Sequence, residues 1–144
     1  MVARARKVAA AVLLGAAAVL AGCGLGRGAA PGAAEVTGTV TFRERITLLP
    51  DTQLRVTLSE ISRADARAQF IAETTIPGVT QVPVAFRIRF DPRAIDATLV
   101  YTLTARIERG DHLLLINDTQ VPVLTRGAPS EVAIVVVPAS GRRD

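Results

Sequence analysis

The 144-residue chain has no tryptophan, one tyrosine and four phenylalanines. So few aromatic rings give nucleic-acid bases no platform on which to stack. A single cysteine, Cys23, excludes both a disulfide framework and a cysteine-rich zinc site. A single histidine, His112, excludes metal sites built on several imidazoles. A hydrophobic stretch of membrane-spanning length is missing as well. The apolar run Val8 to Leu20 has 13 residues, which as a helix reaches roughly 20 Å against a hydrocarbon core of about 30 Å.

The chain also lacks acidic residues at its start, and this skews its net charge of +4. Arg4, Arg6 and Lys7 lie among the first 22 residues, which carry no Asp or Glu. The remaining 122 residues hold 14 of the 17 basic side chains against all 13 acidic ones. A body so close to neutral has no basic field for nucleic acid.

What the N-terminus does contain is a positive segment, the short apolar run and small residues behind it, the pattern of a secretory signal peptide. Leu20-Ala21-Gly22-Cys23 follows. This spacing suits a lipobox, in which cleavage falls between Gly22 and Cys23 and the cysteine sulfur carries a thioether-linked diacylglycerol. Small residues before the cut admit a peptidase working at the membrane surface. Each buried CH₂ of the acyl chains contributes about 0.8 kcal/mol, so several chains anchor stably. Residues 1–22 are therefore expected to be a lipoprotein signal peptide. Residues 23–34, rich in Gly, Ala and Pro, are expected to be a flexible tether. Gly24 stands where an Asp favours inner-membrane retention in many Gram-negative bacteria, so the expected location is the outer membrane, facing the periplasm. The covalent acyl lipid on Cys23 is the one non-protein group expected.

From Glu35 the hydrophobic period is two. Val36, Gly38, Val40 and Phe42 alternate with Thr37, Thr39, Thr41 and Arg43. Further strands are predicted over Leu54–Leu58, Gln69–Ile76, Val82–Phe90, Leu99–Ile107, Leu113–Asn117 and Val132–Val137. Pro83 marks the fourth as an edge strand or its first residues. The sixth is apolar throughout, which predicts a central position, and the seventh is also continuously apolar. Asp91–Asp96 reads as a turn or one helical turn, and Thr119–Ser130 as a long loop with two prolines and a glycine. About seven short strands without a long helix predict an all-β fold, a small antiparallel two-sheet sandwich over residues 35–138 followed by a polar tail, 139–144.

No catalytic constellation is apparent. His112 has no marked nucleophile beside it, and Asp91 and Asp96 flank a turn rather than face each other across a cleft. Arg109-Gly110-Asp111 spells an adhesion tripeptide, but its place between two strands reads as a hairpin turn. Asn117-Asp118-Thr119 matches a sequon, but its place reads as a strand end bonding back to the backbone. Arg43, Arg45, Arg55, Arg87, Arg89 and Arg106 all fall on the polar parity of their strands. They form a basic patch if those faces belong to one sheet, and a solvated face otherwise.

Several segments together resemble the YbaY/YscW-type lipoproteins. These are Val36-Thr37-Gly38-Thr39-Val40-Thr41-Phe42-Arg43-Glu44-Arg45-Ile46, Ile61-Ser62-Arg63-Ala64-Asp65, Pro83-Val84-Ala85-Phe86, Ile116-Asn117-Asp118-Thr119 and Pro122-Val123-Leu124-Thr125-Arg126-Gly127. The resemblance implies a β-sandwich carried by a lipidated cysteine. Some members are pilotins, which chaperone a secretin subunit to the outer membrane. No catalytic residue comes across with it. The expected function is thus a non-enzymatic, protein-binding or chaperone-like envelope lipoprotein, anchored to the membrane by its lipid and serving another envelope protein such as a secretin. The alternative is a passive structural lipoprotein without a client. No small-molecule substrate is evident. The candidate partner-binding residues are Thr119, Pro122, Thr125 and Arg126 of the loop, with Arg87 and Arg89 of the adjoining strand face. The loop is either an interface or a rigid crossover.

Overall fold

The computed structural model describes residues 33–139. The expected signal peptide, the Gly22/Cys23 cleavage and lipidation site, nearly all of the tether and the tail beyond Ala139 lie outside the described residues. Within them the chain forms β1 (Ala34–Thr41), β2 (Thr52–Glu60), β3 (Gln69–Ile76), β4 (Val84–Phe90), a 3₁₀ turn (Pro92–Ala94), β5 (Tyr101–Arg109), β6 (His112–Ile116), β7 (Val121–Val123), β8 (Glu131–Val135) and β9 (Val137–Pro138). The strands make two sheets. The smaller has the order β4-β1-β8, and the larger β3-β2-β5-β6-β9, with β7 pairing β5 beside β6. Every pairing is antiparallel except that of β1 with β8. The all-β, two-sheet expectation holds, with nine strands and one parallel pair.

Alternation decides which side chains meet between the sheets, because successive residues point to opposite faces. Val36, Val40, Phe86, Ile88, Phe90 and Ile134 enter from the small sheet. Leu54, Val56, Leu58, Tyr101, Leu103, Ala105, Ile107, Leu115 and Val123 enter from the large one. Burying each of the larger aliphatic side chains contributes about 1.5–3 kcal/mol. Leu48 and Val79 close the core from connecting segments. Gly38 occupies an inward position because nothing larger fits. A Cβ there would collide with the Val132 carbonyl oxygen and stand 2.9 Å from the Phe86 ring. The absent side chain lets β8 pair closely with β1 while Phe86, directly opposite Gly38, covers it.

One expectation is corrected and another qualified. The predicted Thr119–Ser130 loop contains β7, whose three residues are too few to show a period. Pro122 stands directly across from Thr102 in the ladder, while the Thr102 hydroxyl bonds both backbone groups of Val121. The sixth run is internal in the large sheet, between β5 and β9, as expected, but continuous apolar character in the last two runs does not mark burial on both faces. In β6 only Leu115 is fully buried, Leu113 is 37% exposed, and the strand's outer neighbour, β9, has two residues. The seventh run divides between sheets: β8 joins the small one and β9 the large one, with the Val136 N–H donating to the Thr41 carbonyl between them. Pro83 lies just before β4, an edge strand of the small sheet, as the sequence predicts. Among the described residues no helix is long and apolar enough to cross a membrane.

Candidate partner-binding site

The segment from Asn117 to Pro129 is fastened at several points. The Asn117 side chain accepts from the Ala105 N–H at 2.8 Å and donates to the Leu103 and Thr119 carbonyls. β7 then pairs with the first residues of β5. Thr125, buried, donates from Oγ1 to the Leu99 carbonyl at 2.7 Å. The Leu124 N–H donates to the Pro129 carbonyl, and the Ala128 N–H to that of Thr125. Between these fastenings Leu124 (φ 71°), Arg126 (φ 57°) and Gly127 (φ 82°) take left-handed conformations. Glycine does so freely, whereas for the two side-chain-bearing residues it is costly, by roughly 1–2 kcal/mol each. The hydrogen bonds and the burial of Thr125 hold the turn in this shape.

The candidate loop residues therefore have different parts. Thr125 is a structural pin. Pro122 is exposed on β7, and Thr119 is exposed beside Asn117. Arg126 stands out to solvent at the tip of the turn, with no ion pair among the described residues. Two shallow grooves flank it. One, of about 370 Å³, is lined by Ala34, Phe90, Pro92, Ile95, Ala97 and Leu124 together with Thr125 and Arg126. The other, of about 390 Å³, lies between Val100, Tyr101, Pro122, Val123 and the Thr125–Ala128 turn, again with Arg126 on its wall. Sequence reasoning missed the apolar groove residues, because Ile95, Ala97 and Leu124 come together only through the packing of separate connections. Leu124-Thr125-Arg126-Gly127 carried one usable signal, a glycine at the end of a turn.

The connection that walls both grooves is ordered by local bonds. Asp91 caps the 3₁₀ turn by accepting from the Arg93 N–H at 2.9 Å and also receives the Arg93 guanidinium at 2.8 Å. Those bonds hold the Asp91 carboxyl below the usual aspartate range and raise Arg93. Asp96 is lowered by the Thr98 hydroxyl and N–H that it accepts. The buried Tyr101 hydroxyl accepts from the Asp96 N–H at 2.9 Å. Asp91 and Asp96 are thus each engaged with their own turn. His112 is exposed at the first position of β6.

The six strand arginines do not gather into one patch. Arg87 and Arg89 face outward on β4 of the small sheet, whereas Arg55 and Arg106, directly opposite each other on β2 and β5, face outward on the large one. Arg43 and Arg45 follow the end of β1. Acidic neighbours offset several of them. Arg87 lies 3.6 Å from Glu35, and Arg55 lies 3.5 Å from Glu108 and 4.0 Å from Glu73. Arg89 is opposite Glu35 in the β1–β4 ladder. Among the described residues no cluster of His, Cys, Asp and Glu could hold a metal ion.

Comparison with known proteins matches residues 31–136 to the family of the type III secretion system lipoprotein chaperone YscW. The chain belongs to that family. It is 35% identical over 115 residues to the uncharacterized lipoprotein YbaY of Escherichia coli strain K12, a match that takes in 74% of this chain and 60% of YbaY. This YscW-family chain thus spans about three fifths of the length of that curated relative. Its fold is similar to that of an alternative pilotin from the type II secretion system of Vibrio cholerae, with a TM-score of 0.72 and 35% sequence identity. That likeness covers 76% of this chain and 99% of the pilotin.

Proposed function

We propose that this YscW-family protein is a membrane-anchored envelope lipoprotein whose β-sandwich acts as a non-enzymatic, pilotin-like module that binds another envelope protein, a secretin subunit being the expected client. The observation that carries this is the likeness to a pilotin over nearly the whole of that chain, at an identity high enough to concern more than fold. The site is consistent with it. A rigid sheet presents an ordered turn with an exposed cation and apolar grooves, the kind of loop-borne surface on which binding commonly resides. The anchor is the acyl lipid on Cys23, the residue that cleavage behind Gly22 makes the N-terminus, and the destination is the outer membrane.

The test has two parts. Mass spectrometry of the mature N-terminus is expected to find a lipid-modified Cys23, and Cys23→Ala to leave either a soluble form or an uncleaved precursor. An unmodified Cys23, or cleavage elsewhere, removes the anchor. Capture of envelope proteins by the lipidated protein is expected to enrich a secretin, and Arg126→Ala to weaken that capture without lowering the melting temperature. Combined Arg87→Glu and Arg89→Glu substitution separates loop binding from steering by the sheet face. A loss confined to low salt identifies steering, since exposed charges are screened over about 10 Å at 0.1 M salt. If no envelope protein co-purifies, the passive structural lipoprotein becomes the better account.

A further inference from the structure

The two grooves beside the Leu124–Ala128 turn share one charged residue. Arg126 lines both, and among the described residues no carboxylate lines either. The side chains of the rest of each wall are apolar except for the hydroxyls of Thr125, already committed to the Leu99 carbonyl, and of Tyr101, already engaged with the Asp96 N–H. The charge beside these apolar walls is therefore of one sign, and the one cation that carries it has no ion-pair partner among the described residues. The contrast with Arg93 is instructive. It lies on the same connection as Ile95 and Ala97, but its guanidinium is already held by Asp91 at 2.8 Å. The Arg126 backbone is fixed in the left-handed region by the pinned Thr125 and the following glycine, so the guanidinium projects from a defined point rather than from a mobile loop.

We propose that this end of the sandwich binds an extended partner segment in which one internal acidic residue is flanked on both sides by apolar residues. The carboxylate pairs with Arg126, and the apolar side chains enter the Ile95/Ala97/Leu124 groove on one side and the Val100/Pro122/Ala128 groove on the other. An internal acid fits better than a chain terminus, because grooves lie to both sides of the cation and the ligand chain continues past it. An anionic bilayer is the poorer fit. Around this end Asp91 offsets the nearby Arg93, and Asp96 adds a second carboxylate, which leaves no cluster of cations among the described residues to attract a charged surface. The proposal rests on the reading of the Thr119–Gly127 segment as a binding loop and specifies what that loop recognises.

The probe is a pair of short fluorescent peptides, Gly-Ser-Leu-Val-Glu-Val-Leu-Ser-Gly and its Gln counterpart, titrated against the lipidated protein in phosphatidylcholine nanodiscs. The Glu peptide is expected to bind roughly twofold to fivefold more tightly, within the range that an ion pair at a partly exposed rim supplies. Arg126→Gln is expected to bring the two peptides to equal affinity. Ala97→Glu, an exposed substitution that sets a carboxylate in one groove, is expected to weaken both peptides. Unchanged melting temperatures establish that each variant is folded. Equal affinities with the unaltered protein, or a preference for Glu that survives Arg126→Gln, overturn the proposal. So does Arg126-dependent binding to phosphatidylglycerol vesicles with no binding of either peptide. The peptide result is independent of what the envelope capture returns. A protein that captures a secretin but shows no Glu preference keeps the binding-module reading and loses this one.

Discussion

Arg87 and Arg126 are both exposed arginines on candidate partner surfaces, yet the regions that hold them are built differently. Arg87 belongs to the β1–β4 lattice, where parity alone turns it outward and Glu35 on the next strand stands 3.6 Å away. Its neighbours Phe86 and Ile88 are core residues by the same rule. Arg126 belongs to a turn without a repeating pattern, positioned by a buried threonine, a carbonyl 26 residues earlier and two backbone bonds. In the lattice, position along the strand assigns each role, and the surface can change without disturbing the core. In the turn, the residue that fixes the geometry, Thr125, is adjacent to the residue that meets solvent. Charge and shape must therefore be separated by substitution.

The lattice is broken most severely where Gly38 and Phe86 face each other. Gly38→Ala would drive a methyl group against the Val132 carbonyl oxygen, a backbone atom, as well as the Phe86 ring. The parallel β1–β8 pair has to separate to admit it, and the expected cost is about 3 kcal/mol or more, the upper end for overpacking. Denaturant unfolding is the measurement, and a variant as stable as the parent would mean that β8 does not lie against β1 as described. Phe86→Ala follows at roughly 3–5 kcal/mol, as for other large aromatic truncations in a core. Both changes strike one contact, so their effects are expected to fall short of additive.

The turn has its own weak point. Thr125→Val keeps the shape of the side chain and removes the hydroxyl that satisfies the Leu99 carbonyl. The expected loss is about 1–3 kcal/mol, the range for leaving a buried acceptor unpaired. Reduced hydrogen-exchange protection at Ala128, whose N–H donates to Thr125, would locate the damage in the turn. An unchanged melting curve would mean that the turn does not depend on this pin, and the distinction between turn and lattice would weaken.

These differences also explain what the sequence discloses. β3 has the predicted bounds, Gln69–Ile76, and the 3₁₀ turn falls within Asp91–Asp96, because Pro77-Gly78 and Asp91-Pro92 punctuate the chain locally. Alternation over Val84–Phe90 identifies its buried face residue by residue. Pairing partners leave no such local mark. Nothing in Glu131–Val135 announces that it runs parallel to β1, and β7 is too short to alternate. Apolar content in the last runs overstated burial, since Leu113 and Ala133 are exposed. Of the candidate site, Arg126 and the loop were legible as an exposed cation in a turn-rich segment. The grooves were not, because their walls come from the first residue of β1, the end of β4, the 91–100 connection and the turn itself.

The smallest expected effects carry the comparison furthest, since they set two exposed arginines side by side. Arg87 and Glu35 are both substantially exposed, so their ion pair is weakened by solvent and salt. Arg87→Ala is therefore expected to cost under about 0.5 kcal/mol, most of it absent at high salt. Arg126→Gly should act in the opposite direction. The left-handed conformation at φ 57° costs a residue with a side chain roughly 1–2 kcal/mol that glycine does not incur, although glycine also gains freedom in the unfolded chain. The net expectation is unchanged stability or a gain of up to about 1 kcal/mol, insensitive to salt, while Arg126→Ala, equally strained, stays level with the parent. Denaturant melts at low and high salt decide between these outcomes. Destabilisation shared by Arg126→Gly and Arg126→Ala would mean that the guanidinium makes a structural contact, and the loss of partner capture in any Arg126 variant would then report on folding. A stabilising one would show that the turn holds Arg126 at a cost to the fold, as expected of a residue retained for what it meets outside it.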